Sequence, residues 1–122
     1  IDEKIPSVFQ PEATSCNNIG YVYLKNHQYK EAKKYFQKGL EQKYIFRDKP
    51  YVYTMLLNNL AFSKFKLNEK DGLPDLFYKS LKIRDSLQLT TGIIASKLNL
   101  SEYFRSGNDT VKASQNAKEA LV

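Results

Sequence analysis

Three asparagines recur at a nearly constant spacing, and their carboxamides are the groups in this 122-residue chain best suited to binding chemistry. Asn18, Asn59 and Asn99 are separated by 41 and 40 residues (59 − 18 and 99 − 59). A carboxamide has N–H donors and a carbonyl acceptor, so it can pair with both the N–H and the C=O of an extended peptide. Three such groups would form a ladder along a bound backbone. Alternatively, each asparagine bonds a neighbouring helix and holds the packing together.

Small and apolar residues accompany each asparagine at matching positions, which indicates an internal repeat. An aliphatic and a small residue follow each asparagine, and apolar residues return farther along the chain. The matching positions are Asn18, Ile19, Gly20, Ala32, Phe36 and Leu40, then Asn59, Leu60, Ala61, Leu73, Phe77 and Leu81, then Asn99, Leu100, Ser101, Ala113, Ala117 and Leu121. Three matches over so many positions are hard to obtain by chance.

Each repeat has the pattern of two helices. Apolar residues at steps of three and four form a stripe in each half, and polar turn residues separate the halves. The predicted helices span residues 12–25, 29–46, 51–67, 72–88, 92–105 and 110–122. Breaks between repeats are expected at Asp48-Lys49-Pro50 and at Thr90-Thr91-Gly92. The sequence therefore predicts an all-α fold made of helix pairs.

The first repeat resembles the tetratricopeptide repeat. The matching residues are Ile19, Gly20, Tyr23, Ala32 and Phe36, with Gly39 where alanine is usual. The later repeats depart from the family pattern, because Lys64 and Ala117 stand where aromatic residues are usual and Leu73 replaces an alanine. The family period is about 34 residues, whereas the offsets here are 41 and 40 (59 − 18 and 99 − 59). Such lengthened repeats are similar to arrays in bacterial sensory regulators.

The resemblance implies a right-handed helical-repeat solenoid of three helix–turn–helix units. The units would cover about residues 12–50, 51–90 and 91–122, and residues 1–11 would be a tail or the end of a preceding element. The chain begins at Ile1 without a methionine, and its last predicted helix reaches Val122 without a cap. We therefore expect it to be part of a longer protein.

The resemblance also implies that the first helix of each unit lines a concave groove in which partners bind. Related peptide-binding arrays use asparagine in this way at the same column. The candidate peptide-binding residues are Asn18, Asn59, Asn99, Asn17, Asn58, Tyr21, Phe62, Lys25, Lys66 and Arg105. The aromatic residues would form apolar pockets, or else pack in the core. The cations would favour an acidic segment, or else lie at solvated helix ends where they suit the helix dipole.

Charge and composition exclude several other classes of function. The net charge of +6 is spread over lysines that alternate with acidic residues on the second helices, as on a solvated surface and unlike a phosphate-binding stripe. Cys16 and His27 are single residues of their types, and are expected in the core and in a turn. We therefore predict no metal site, no cofactor and no nucleic-acid partner. No apolar run approaches the ~20 residues that cross a membrane.

The sequence thus predicts a non-catalytic module that binds a protein or peptide segment in its concave groove. It would serve as a sensory or scaffolding part of a larger regulatory protein. The main alternative is a structural or dimerisation array with no groove ligand, which would self-associate through its exposed repeat ends. Helical-repeat RNA recognition is disfavoured by the repeat spacing, and an enzyme fragment by the lack of a phosphate loop or catalytic motif in the sequence. The compartment stays open between cytoplasm and periplasm.

Overall fold

The protein is all-helical over residues 12–107 and 109–120, the part that the computed structural model describes. Its helices are α1 (Ala13–Lys25), α2 (Tyr29–Leu40), α3 (Ile45–Asp48), α4 (Pro50–Lys66), α5 (Leu73–Ser86), α6 (Thr90–Ser106) and α7 (Thr110–Ala120). The predicted all-α helical-repeat class is confirmed. The expectations for residues 1–11, for Leu121 and for Val122 lie outside the described residues.

The helices stack as successive pairs, in which each first helix contacts the first helix of the next pair. The packed pairs are α1 with α2, α4 with α5, and α6 with α7. Between pairs, α2 packs on α4 and α5 packs on α6, while α1, α4 and α6 touch in turn. This order is what the repeat pattern predicts. The right-handed twist and the unit boundaries stay predictions.

Two aromatic residues at the same repeat position form the centres of the core. Phe36 and Phe77 are both fully buried. Phe36 lies in a cluster with Ala32, Leu56 and Leu60 that joins the first two pairs. Gly20 faces the Phe36 ring so closely that a Cβ at this position would overlap it, which explains the small residue in this column.

A recurring backbone motif ends α1, α4 and α5. His27, Asn68 and Gln88 follow these helices with φ of 62°, 61° and 56°. In each case the next N–H donates back to a carbonyl of the last turn, with N···O distances of 2.9 Å for Gln28 to Tyr23, Glu69 to Lys64 and Leu89 to Arg84. This is the Schellman arrangement. The prediction that His27 lies in a turn is confirmed.

The predicted second helix over residues 29–46 is wrong beyond Leu40. Residues 41–44 form a turn instead, and Tyr44 takes the left-handed conformation with φ of 65° before the short helix α3 begins. This change of direction brings Ile45 into the same core cluster as Phe36. Burial of Ile45, which is 8% exposed, offsets the cost of the strained tyrosine.

The expected break at residues 90–92 is also wrong, because α6 begins at Thr90 and the break falls at residues 87–89. Gly92 is buried within α6 beside the side chain of Arg84, and a Cβ there would lie 2.8 Å from Arg84 Cδ. The glycine is therefore needed for close packing and not for a turn.

Arg84 joins α5 to the helices on either side of it. It is 4% exposed, and its guanidinium donates from Nε to Thr54 Oγ1 at 3.2 Å and from Nη1 to Gly92 O at 3.0 Å and Ser96 Oγ at 2.8 Å. Burial lowers the pKa of Arg84 below its usual value. These bonds tie α4 to α6, the two helices that carry Asn59 and Asn99.

Candidate functional site

Helices α1, α4 and α6 enclose a cavity of about 460 Å³ on one side of the stack. We call this cavity the groove. Seven of the ten candidate residues line it, namely Asn58, Asn59, Asn99, Tyr21, Phe62, Lys25 and Lys66. These side chains come from three helices that are distant in sequence. The groove therefore combines carboxamides, aromatic rings and ammonium groups in one concavity.

The other three candidates do not line the groove. Asn18 is exposed on α1, and Arg105 is exposed near the end of α6. Asn17 is 3% exposed and lies behind the groove surface. The recurring asparagine column is therefore represented in the cavity by Asn59 and Asn99, and a ladder of three carboxamides stays a prediction.

Asn59 is held by a bond to the preceding helix pair. Its Nδ2 donates to Asn17 Oδ1 at 3.0 Å. A carboxamide nitrogen has two N–H groups, so Asn59 keeps a second N–H and its carbonyl oxygen. Asn59 can therefore hold α4 against α1 and still bind a peptide backbone, which are the two roles that the sequence left open.

Asn58 and Asn99 lie at the next junction, between α4 and α6. Asn58 is 4% exposed, and its Oδ1 is buried without a hydrogen-bond partner among the described residues. Asn99 is half-buried and its side chain forms no hydrogen bond with the described residues. Both residues line the groove. Unused hydrogen-bonding capacity is thus concentrated at this junction.

Each groove lysine lies near an aromatic ring. Lys25 Nζ lies 5.7 Å from the ring centroid of Tyr21, and Lys66 Nζ lies 5.2 Å from that of Phe62. Lys66 also forms an ion pair with Glu102 Oε2 at 3.0 Å. Because Glu102 lines the groove as well, it neutralises one of the two ammonium groups. The net positive character of the groove rests mainly on Lys25.

The aromatic candidates differ in how much of each ring the core uses. Tyr21 is 47% exposed, so its ring is available at the groove wall. Phe62 is half-buried and packs against the first core cluster. The neighbouring Phe65, which is not one of the candidates, packs against Tyr103 with ring centroids 5.9 Å apart.

The edge of the groove contains two residues that the repeat pattern did not reveal. Tyr29 Oη lies 3.1 Å from His27 Nδ1, and both residues line the groove. His27 lies in the turn after α1 and Tyr29 at the start of α2, outside the helical stripe on which the prediction relied. Neither histidine nor tyrosine recurs at these positions in the later repeats.

Cys16, the single cysteine of the chain, lies in the core. Cys16 is fully buried, and this burial raises the pKa of its thiol. Nearby Lys38 acts in the opposite direction but is the smaller influence. Cys16 therefore has the packed position that was predicted. Among residues 12–107 and 109–120, no cluster of three His, Cys, Asp or Glu side chains has a geometry for metal binding.

None of the helices in the described residues has both the length and the apolar character needed to cross a membrane.

The stacked pairs define an all-helical repeat protein. The sequence model of the tetratricopeptide repeat family matches residues 13–43, so this segment, which includes α1 and α2, is a tetratricopeptide repeat. Such repeats generally mediate protein–protein interaction and scaffolding, and are generally not catalytic. No curated protein and no solved structure matches the chain. The similarity to bacterial sensory regulators stays a prediction.

Proposed function

We propose that this chain is a non-catalytic module that binds an extended segment of a protein partner in the groove. It would act as a sensory or scaffolding part of a larger regulatory protein. The observation that carries the proposal is the convergence of Asn59, Asn99 and Tyr21 on one cavity. The tetratricopeptide repeat at residues 13–43 adds the general expectation of a protein partner.

The carboxamides suit recognition of a backbone. Packed helices lie about 8–10 Å apart, and a polyproline II segment completes a turn in three residues of about 3.1 Å each. One turn of such a segment therefore spans about the distance between neighbouring groove helices. Asn59 and Asn99 would meet equivalent backbone groups one turn apart, independent of the partner's side chains.

The charges of the groove favour a modest preference for acidic segments. Lys25 lies beside the exposed ring of Tyr21 and forms no ion pair with a described residue. Lys66 is already paired with Glu102. One unneutralised ammonium group attracts a carboxylate, but Glu102 repels a second one. We therefore propose that the partner segment has an acidic residue at the end that lies near α1. The residues in the middle of the segment would be uncharged.

The test is a peptide-array screen, followed by affinity measurements with the tightest-binding peptide. The double variant Asn59→Ala/Asn99→Ala should bind at least about tenfold more weakly, because two or more hydrogen bonds are lost. Gln37→Ala removes an exposed carboxamide from α2, away from the groove, and should bind normally. Circular dichroism checks that all variants are equally helical. Equal affinity of the double variant, or no peptide binding by the parent chain, would contradict the proposal.

The surface of α7 favours the alternative of a self-associating array. Val111 is 76% exposed there, beside a surface depression of about 640 Å³ whose lining includes Ser114 and Lys118. Each earlier second helix packs against a helix of another pair, and the exposed Val111 gives α7 an apolar contact point for a second copy of this chain. Two results together would favour this alternative. The sedimentation coefficient of the parent chain would increase with concentration and that of Val111→Lys would not, and the parent chain would bind no peptide on the array.

A further inference from the structure

The groove contains one junction that a hydrogen bond closes and one that is open. At the α1–α4 junction, Asn59 Nδ2 donates to Asn17 Oδ1 at 3.0 Å. The repeat offsets make Asn58 and Asn99 the equivalent pair at the α4–α6 junction (17 + 41 = 58 and 59 + 40 = 99). Within the part of the chain that the structure describes, this second pair forms no hydrogen bond, and Asn58 Oδ1 is buried without a partner.

We infer that Asn58 is the acceptor for one backbone N–H of the bound segment, so that the α4–α6 junction requires a donor from the ligand. The inference rests on the proposed function and refines it. The acceptors at positions 17 and 58 would not be equivalent, because Asn17 Oδ1 already accepts from Asn59 within the protein. The ligand class is an extended peptide that has a free N–H at one particular position.

The energetics of burial support this assignment. A buried acceptor without a partner destabilises the folded state, and such groups are rare in native proteins. Asn58 is 4% exposed and lines the groove, so a ligand there would be adjacent to the unsatisfied group. Because Oδ1 itself has almost no exposed surface, the carboxamide must rotate about its broad terminal torsion before this oxygen accepts from a ligand.

Packing alone does not require asparagine at this repeat position. The third repeat has Leu98 in the same column (58 + 40 = 98), where the side chain is 46% exposed, so the column does not require an asparagine in every repeat. Leucine has the branched outline of asparagine, with a larger volume, and has no polar atom to satisfy. An apolar residue at position 58 would remove the buried orphan, so we expect the asparagine to lower the stability of the free protein in return for what it binds.

The consequence for the ligand is a specific requirement. Proline and N-methylated residues have no backbone N–H to donate. A scan that N-methylates the array-selected peptide at each residue in turn should reveal one position whose modification weakens binding to the parent chain. The same modification should have little effect on binding to Asn58→Leu, because that variant has no acceptor to lose.

The matched variants Asn17→Leu and Asn58→Leu test the inference in the free and bound protein. Asn58→Leu should raise the melting temperature by about 3 °C, since it removes an unsatisfied buried group. Asn17→Leu should lower it, since Asn59 loses its acceptor. Binding of the array-selected peptide should weaken by about three- to tenfold in Asn58→Leu. Asn58→Asp keeps an acceptor and should retain binding.

Each other result overturns the inference in an identifiable way. If Asn58→Leu lowers the melting temperature as Asn17→Leu does, Asn58 is already bonded in the free protein. If it raises the melting temperature and binding is unchanged, the acceptor is not used and the groove proposal still stands. If the parent chain binds no peptide, the proposed function fails and this inference fails with it.

Discussion

Single residues set the charge of the groove, and Lys66 is the clearest case. Lys66 Nζ lies 3.0 Å from Glu102 Oε2, and each of the two side chains is about one third exposed. Pairs with this exposure contribute little to stability, so breaking the pair should leave the fold intact. The same change would release an ammonium group that lies over Phe62 in the groove.

We therefore predict that Glu102→Gln increases the affinity for acidic peptides by about two- to fivefold at low salt. Fluorescence anisotropy with an acidic and a neutral array peptide measures the effect, which should shrink as salt is added. Glu119→Gln is the matched control, because it breaks the Lys97–Glu119 pair at 3.0 Å outside the groove lining. An equal gain in both variants would contradict a local role for Glu102.

At the same scale, the sequence indicated which residues meet but not how they pair. Asn59 and Asn99, which the recurrence of asparagine indicated, both line the groove. The recurrence did not predict the bond between Asn17 and Asn59, which joins residues 42 positions apart. Such a bond depends on the rotation of α1 against α4, and a repeat pattern contains no information on that rotation. Arg105 on α6, which the pattern also proposed, does not line the groove.

At the scale of elements, the helix ends are the least optimised part of the fold. Gln88 takes φ of 56° after α5 although it has a side chain. A left-handed residue other than glycine costs about 1–2 kcal/mol, whereas asparagine tolerates the conformation better. Asn68 in the equivalent turn is therefore closer to the optimum than Gln88.

We predict that Gln88→Gly raises the free energy of unfolding by about 0.5–1 kcal/mol, after the greater entropy loss of glycine is included. Urea denaturation followed by circular dichroism measures the change. Asn68→Gly should raise the free energy of unfolding by a smaller amount, because asparagine already tolerates the left-handed conformation. Gln115→Gly, on an exposed part of α7, should instead lose about 1 kcal/mol. A loss in Gln88→Gly would show that the glutamine side chain has a stabilising role in the turn.

Most helices could be predicted from the sequence because their apolar columns are local. The columns that contain Phe36 and Phe77 predicted the first residues of α2 and α5 to within one position, but not the end of α2. The short helix α3 could not be predicted, since its left-handed Tyr44 is retained only by the burial of Ile45 elsewhere in the core. Gly92 was misread as a helix break for the same reason, because its role is to admit Arg84.

At the scale of the whole molecule, neighbouring pairs are joined mainly by apolar contacts. Ala61, Leu73, Phe77 and Leu100 form the cluster between the second and third pairs. The ion pairs between successive pairs, such as Lys33–Glu69 at 2.7 Å, are partly solvated and add little. Stability in such an array is approximately a sum over neighbours, so the groove is shaped by the same junctions that hold the stack together.

The central claim is that a peptide binds between α1, α4 and α6. The most direct test is an amide correlation spectrum of labelled protein, recorded while the array-selected peptide is added. Our account predicts that the side-chain NH₂ signals of Asn59 and Asn99 shift, and that the signal of Asn116 does not. Asn116 lies on α7, where its Nδ2 donates to Lys112 O at 2.9 Å. Shifts confined to α7, or none at saturating peptide, would contradict the claim.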